Sequence, residues 1–168
     1  MLPEALLRAR AILESVTPLK TDCGLLCQGL CCRPMEGEMT GMLLFPGEEA
    51  YYEGREGYRM TGTAQGTLLI CTGRCERADR PLSCRLMPLI PLIREDGVKV
   101  ATDLRAKTLC PLARQGKDAL DPDFVSAVRQ VGRILAEDET QRAFLVKLTR
   151  QQDELKALRN QFRRGNHV

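Results

Sequence analysis

The sequence contains no tryptophan, a single histidine and only 4% aromatic residues. Without large rings, a core must be built from aliphatic side chains, which fill a small domain thinly and profit from an added staple. The lone histidine, His167, stands one residue from the C-terminus, where tails fray. Its position excludes the mixed cysteine–histidine zinc sites. No run approaches the roughly 18 apolar residues of a membrane span. The opening MLPEALLRARAILESV is no signal peptide, because Glu4, Arg8, Arg10 and Glu14 interrupt it. Leu2, Leu6, Ala9, Leu13 and Val16 recur at helical spacing instead, which predicts an amphipathic helix over 3–16.

What the chain has in excess is sulfur. Eight cysteines stand in 168 residues. Cys23, Cys27, Cys31 and Cys32 lie in CGLLCQGLCCRPM, Cys71 and Cys75 in CTGRC, Cys84 in RPLSCR, and Cys110 before Pro111. That exceeds what packing needs, yet falls below the roughly 8–10% of secreted disulfide scaffolds. The expected address is therefore a reducing cytoplasm, where clustered thiols bind metal or do redox chemistry. Burial as eight small hydrophobes is the plain alternative, and it fits poorly with a polar stretch broken by Gly24, Gly29 and Pro34.

Cys23, Cys27 and Cys31 are four apart, so a helix would set their sulfurs on one face about one turn apart. The glycines favour a wrapped loop, and either geometry lets three thiolates converge. Cys31 and Cys32 diverge by about 100° on a helix or about 180° on a strand, so one of them suits a second site. Zinc accepts four thiolates, and iron–sulfur clusters of the 4Fe–4S kind also use four cysteines, so the donor set leaves the metal open. Either site is anionic, about −2 for zinc with four thiolates. Arg33, Arg74, Arg77, Arg80 and Arg85 each lie within a few residues of a cysteine. Of these, Arg33, Arg80 and Arg85 are expected to turn their guanidinium forks toward sulfur around the bound group.

The rest of the chain reads as a small, loop-rich, metal-stapled α+β unit. TGMLLF (40–45) and GTLLIC (66–71) are strand candidates, and PGEEAYYEG (46–54) a helical turn with acids at its start. LIPLIREDGVKVATDL (89–104) sets an Asp96-Gly97 turn between apolar runs and predicts a hairpin, with Pro88 and Pro91 placing its first strand at an edge. Residues 1–118 are expected to form the cysteine-cluster domain and 119–168 a helical extension. In the extension, Asp121 caps a helix over 122–136 with Phe124, Val125, Val128, Val131 and Leu135 on its apolar side. A second helix over 139–164 repeats Phe144, Leu148, Leu155, Leu158 and Phe162 at heptad-like spacing. Residues 147–168 carry a net +4 of the chain's +3, so the remainder is near neutral.

The segments CGLLCQGLCCR, CTGRCERADRPLSCRLMP and Cys110-Pro111 resemble the bacterial zinc- or iron-chelating cysteine-cluster (YkgJ-like) domain family. The matching positions are Cys23, Cys27, Cys31, Cys32, Cys71, Cys75, Arg80, Pro81, Cys84, Arg85, Pro88 and Cys110. The family's opening cysteines are separated by two residues and these by three, which leaves Cys23 and Cys27 as alternatives for the first position. The resemblance covers about residues 20–112. It implies metal chelation, with zinc or an iron–sulfur cluster left open; some relatives are linked to lysine methylation of flagellin.

The leading expectation is thus a non-catalytic, structural or electron-transfer metal protein, possessing in its C-terminal helix a surface for a protein partner or for self-association. A cluster-dependent enzyme such as a protein lysine methyltransferase is a second reading, although the chain has no glycine-rich nucleotide loop. A zinc module binding nucleic acid is a third, weakened by a basic tail whose sole aromatic residue is Phe162. A thiol oxidoreductase is disfavoured because no Cys-x-x-Cys occurs. If metal staples the domain, chelation is expected to unfold the first two thirds.

Overall fold

The computed structural model describes residues 1–21, 23, 31, 41–71 and 76–165. Helix α1 (Glu4–Ile12) buries Leu6 and Ala9, with Leu13 continuing the same face. The helix is shorter than its periodicity predicts. The carbonyls of Leu13, Glu14 and Val16 accept from the guanidinium of Arg77 and so leave the helical ladder.

Strand β1 (Met42–Leu43) is followed by a one-turn helix α2 (Glu49–Tyr52), then β2 (Tyr58–Thr63) and β3 (Gly66–Cys71). They form an antiparallel sheet in the order β1-β3-β2, with Tyr58 opposite Cys71 and Met42 opposite Leu69. A 3₁₀ turn (Arg77–Asp79) leads into the short helix α3 (Leu82–Leu86). Strands β4 (Leu89–Arg94) and β5 (Gly97–Thr102) make the expected hairpin as a separate two-stranded sheet. Its turn residues are Glu95 and Asp96, because Gly97, at φ +112°, already pairs with Arg94. Pro91 sits opposite Val100, tolerated because a two-stranded sheet has only edges.

After a second 3₁₀ segment (Leu104–Thr108) and helix α4 (Pro111–Gln115), the long helices α5 (Pro122–Glu137) and α6 (Glu139–Gly165) complete the chain. Asp121 caps α5 by accepting from the Asp123 amide. Phe124, Val128, Val131 and Leu135 are buried, and Val125 is half-buried.

One apolar cluster takes Leu6 from α1 and Leu13 just after it, Leu82 and Leu86 from α3, Leu89 and Val100 from the hairpin, and Phe124 to Leu148 from the last helices. It therefore spans both sides of position 118. The stripe on α6 divides in two: Phe144 and Leu148 enter this core, whereas Leu158 is 50% and Phe162 75% exposed. Between the buried apolar residues, α6 inserts polar ones that address backbone. Gln141 donates to the Pro46 carbonyl, Thr149 accepts from the Ile93 amide, and Gln152 accepts from the Leu104 amide. Among the described residues, no helix is long and apolar enough to cross a membrane.

Helix α5 lies on the hairpin through Gly132. A Cβ there would stand 2.6 Å from Cβ of Pro91 and 2.7 Å from Cγ1 of Val98, closer than packed carbons tolerate. Gly132→Ala is expected to lower stability by about 1–2 kcal/mol in urea unfolding, the overpacking cost outweighing roughly 1 kcal/mol of helix propensity. An unchanged or higher midpoint would show that the contact yields freely.

Candidate metal centre

Residues 77–85, between Cys71 and the end of the helix bearing Cys84, are tied to the end of α1 by a set of arginines. Arg77 donates from Nε to the Glu14 carbonyl at 2.6 Å and from Nη2 to those of Leu13 and Val16 at 2.6 and 2.7 Å. This fixes the turn leading toward Cys23 onto the turn that follows Cys71. Arg85, 4% exposed, donates to the carbonyls of Arg10, Ala78 and Arg80 and to Oε2 of Glu14 at 2.6 Å. Arg10 closes the arrangement from α1, reaching the Ala78 carbonyl at 2.8 Å and Oε1 of Glu48 at 3.2 Å.

Glu48 is fully buried and accepts from the amides of Phe45 and Leu82 as well as from Arg10. Burial pushes its carboxyl up, against the pull of those three donors. Beside it, Tyr52 donates to the Asp79 carbonyl. Burial, with Glu48 and Cys84 nearby, raises the Tyr52 hydroxyl well above the ordinary phenol range.

The thiols are distributed about this frame. Cys84 lies in α3, directly after Ser83, and within electrostatic reach of Tyr52. Cys71 ends β3 opposite Tyr58, whose ring is 5.1 Å from that of Tyr52. Cys23 packs against the main core and lies within electrostatic reach of Arg77. Cys31 is exposed. Cys110 stands before Pro111 at the start of α4, its amide donating to the Ala106 carbonyl at 2.7 Å, and packs on the main core.

Cys71 and Cys84 thus stand on the Tyr52 side of the frame and Cys23 on the Arg77 side, while nothing in the described contacts brings Cys110 to either. Among the described residues, no three cysteine, histidine, aspartate or glutamate side chains gather into a shared metal site. Cys27, Cys32 and Cys75, together with Arg33, Arg74, His167 and the loop residues Gly24, Gly29 and Pro34, lie outside the described residues.

Arg85 differs from the sequence expectation in what it addresses. Arg85 was expected to serve sulfur; its donors go to three carbonyls and Glu14 instead. Arg80 contributes its own carbonyl to Arg85. Arg10, Glu14 and Glu48 carry no motif, and sequence reasoning passes over them. Their one signal is charged residues standing among the apolar positions of a short amphipathic helix and its neighbour. Compared with family models, curated proteins and solved structures, the chain matches none.

Two outcomes follow from this frame. Glu48→Ala leaves Arg10 and two amides buried without their acceptor, and is expected to cost about 3–5 kcal/mol, read as a fall in the urea midpoint. Glu14 behaves through protons. The hydrogen bond and charge of Arg85 hold its carboxyl below the ordinary range. A depressed carboxylate stabilises the fold above the unfolded-state value of about 4.3 and loses that contribution as pH falls through the folded value. The urea midpoint is expected to drop on acidification through that window, and Glu14→Gln to flatten part of the drop; equal slopes for both proteins would remove Glu14 from the account.

Proposed function

We propose that the chain is a metal-binding cysteine-cluster protein with a structural or electron-transfer role, holding zinc or an iron–sulfur cluster through thiolates. The observation that carries the reading is the arginine frame, which ties the turn leading to Cys23, the turn after Cys71 and the helix bearing Cys84 to one another. Eight thiols and one distal histidine make a soft, all-sulfur donor set, which fits thiophilic metals. The residues that would hold the group are Cys23, Cys27, Cys31, Cys32, Cys71, Cys75, Cys84 and Cys110. When bound, it would supply a rigid crosslink and, in the iron form, a one-electron redox centre. The chain's own part is to keep thiolate-bearing segments adjacent and to set cationic Arg77 near Cys23. A reducing cytoplasm suits such thiols, and exposed Leu158 and Phe162 offer a partner an apolar contact.

Protein purified without oxygen is expected to contain stoichiometric metal: with broad visible absorption if it holds iron–sulfur, colourless and zinc-containing otherwise. Metal-free protein in which all eight thiols titrate at once would sink the reading. Removal of the metal is expected to expose thiols to a disulfide reagent while leaving most far-UV helicity, because the main core is made by leucine, valine and phenylalanine from helices and hairpin. This replaces the expectation that chelation unfolds the first two thirds.

A further inference from the structure

A cavity of about 230 Å³ opens where the two sheets, α3, the 3₁₀ segment at 104–108 and α6 meet. Its mouth is formed by half-buried Met42, Leu68 and Met87, and its floor by buried Phe45, Leu86 and Leu148. An apolar cavity of roughly 150 Å³ admits a benzene ring, and drug-sized ligands need roughly 300 Å³ or more. The space therefore suits a ligand of roughly six to ten heavy atoms with an apolar body.

Three polar side chains reach the wall: Ser83, Asp103 and Arg105. The Ser83 hydroxyl donates to the Leu43 carbonyl. Asp103 accepts from Gln152 Nε2 and from Nε and Nη2 of Arg105. Those bonds occupy one edge of the Arg105 guanidinium. Among the described residues, its Nη1 has no acceptor, and the side chain stays 38% exposed at the rim. The open edge of a guanidinium matches the two oxygens of a carboxylate.

We propose that this cavity binds a small monocarboxylate with an aliphatic tail, the tail among the leucines and methionines and the carboxylate on the free edge of Arg105. Among the described residues, no cysteine lines the cavity. Asp103 neutralises part of the arginine's field, so the tail supplies most of the affinity and the head group supplies selectivity. Methionine at the mouth lets tails of slightly different shape enter.

The test uses the full chain, with octanoate and octanol as probes followed by methyl NMR and calorimetry. Octanoate is expected to shift the methyl signals of Met42 and Met87 saturably, with Kd in the range of about 0.1–1 mM. Arg105→Gln should weaken octanoate about tenfold, the worth of a charge-assisted pair, and leave octanol unchanged. Leu109→Trp, on the lining, should abolish both. Should that variant not fold, Leu68→Trp blocks the opposite wall. Absence of a saturable shift, an Arg105→Gln variant that binds octanoate as wild type does, or binding that persists in a folded blocked variant would each overturn the proposal.

Discussion

The structure depends on guanidinium groups bonded to main-chain carbonyls across long stretches of sequence. Arg77 and Arg85 take carbonyls from the end of α1, while Arg10 returns from α1 to Ala78. Carbonyls at a helix end lack internal partners and must be met by something. Here the arginines meet them and, in doing so, join two distant segments. Fully buried Glu48 then fixes Arg10 together with the amides of Phe45 and of Leu82, which begins α3. An apolar contact would tolerate sliding; a fork on several carbonyls specifies register.

Much of the architecture was legible in the sequence wherever a period persisted. The apolar run of β3, the turn between the apolar runs of the hairpin, and the long apolar repeats of α5 and α6 marked those elements nearly to the residue. Strand β2 was not legible, because Arg59, Met60, Thr61 and Gly62 show no clean alternation. Helices α3 and α4, of five residues each, are too short to display a period. The candidate site divides the same way. The thiol spacings raise the expectation of metal chemistry, but the partners of Arg10, Arg77 and Arg85 lie as many as 75 residues away. Pattern reading along the chain does not reach pairings of that length.

The C-terminal helices illustrate a related limit. Hydrophobic spacing predicts a continuous seam on α6, yet the helix outruns the body it packs on. Its buried half carries Gln141, Thr149 and Gln152, each making a hydrogen bond to backbone, so polar residues mark the true interface. Close approach of α5 to Pro91 and Val98 requires a residue without Cβ at 132. Both features turn on which atoms face one another, information that spacing does not contain.

Because Arg77 reads only peptide oxygens at 13, 14 and 16, its grip does not depend on which side chains stand at those positions. For the Arg77 joint alone, the side chains there are interchangeable so long as the backbone path is preserved. What restricts Leu13 and Glu14 is separate: the core holds the first and Arg85 the second.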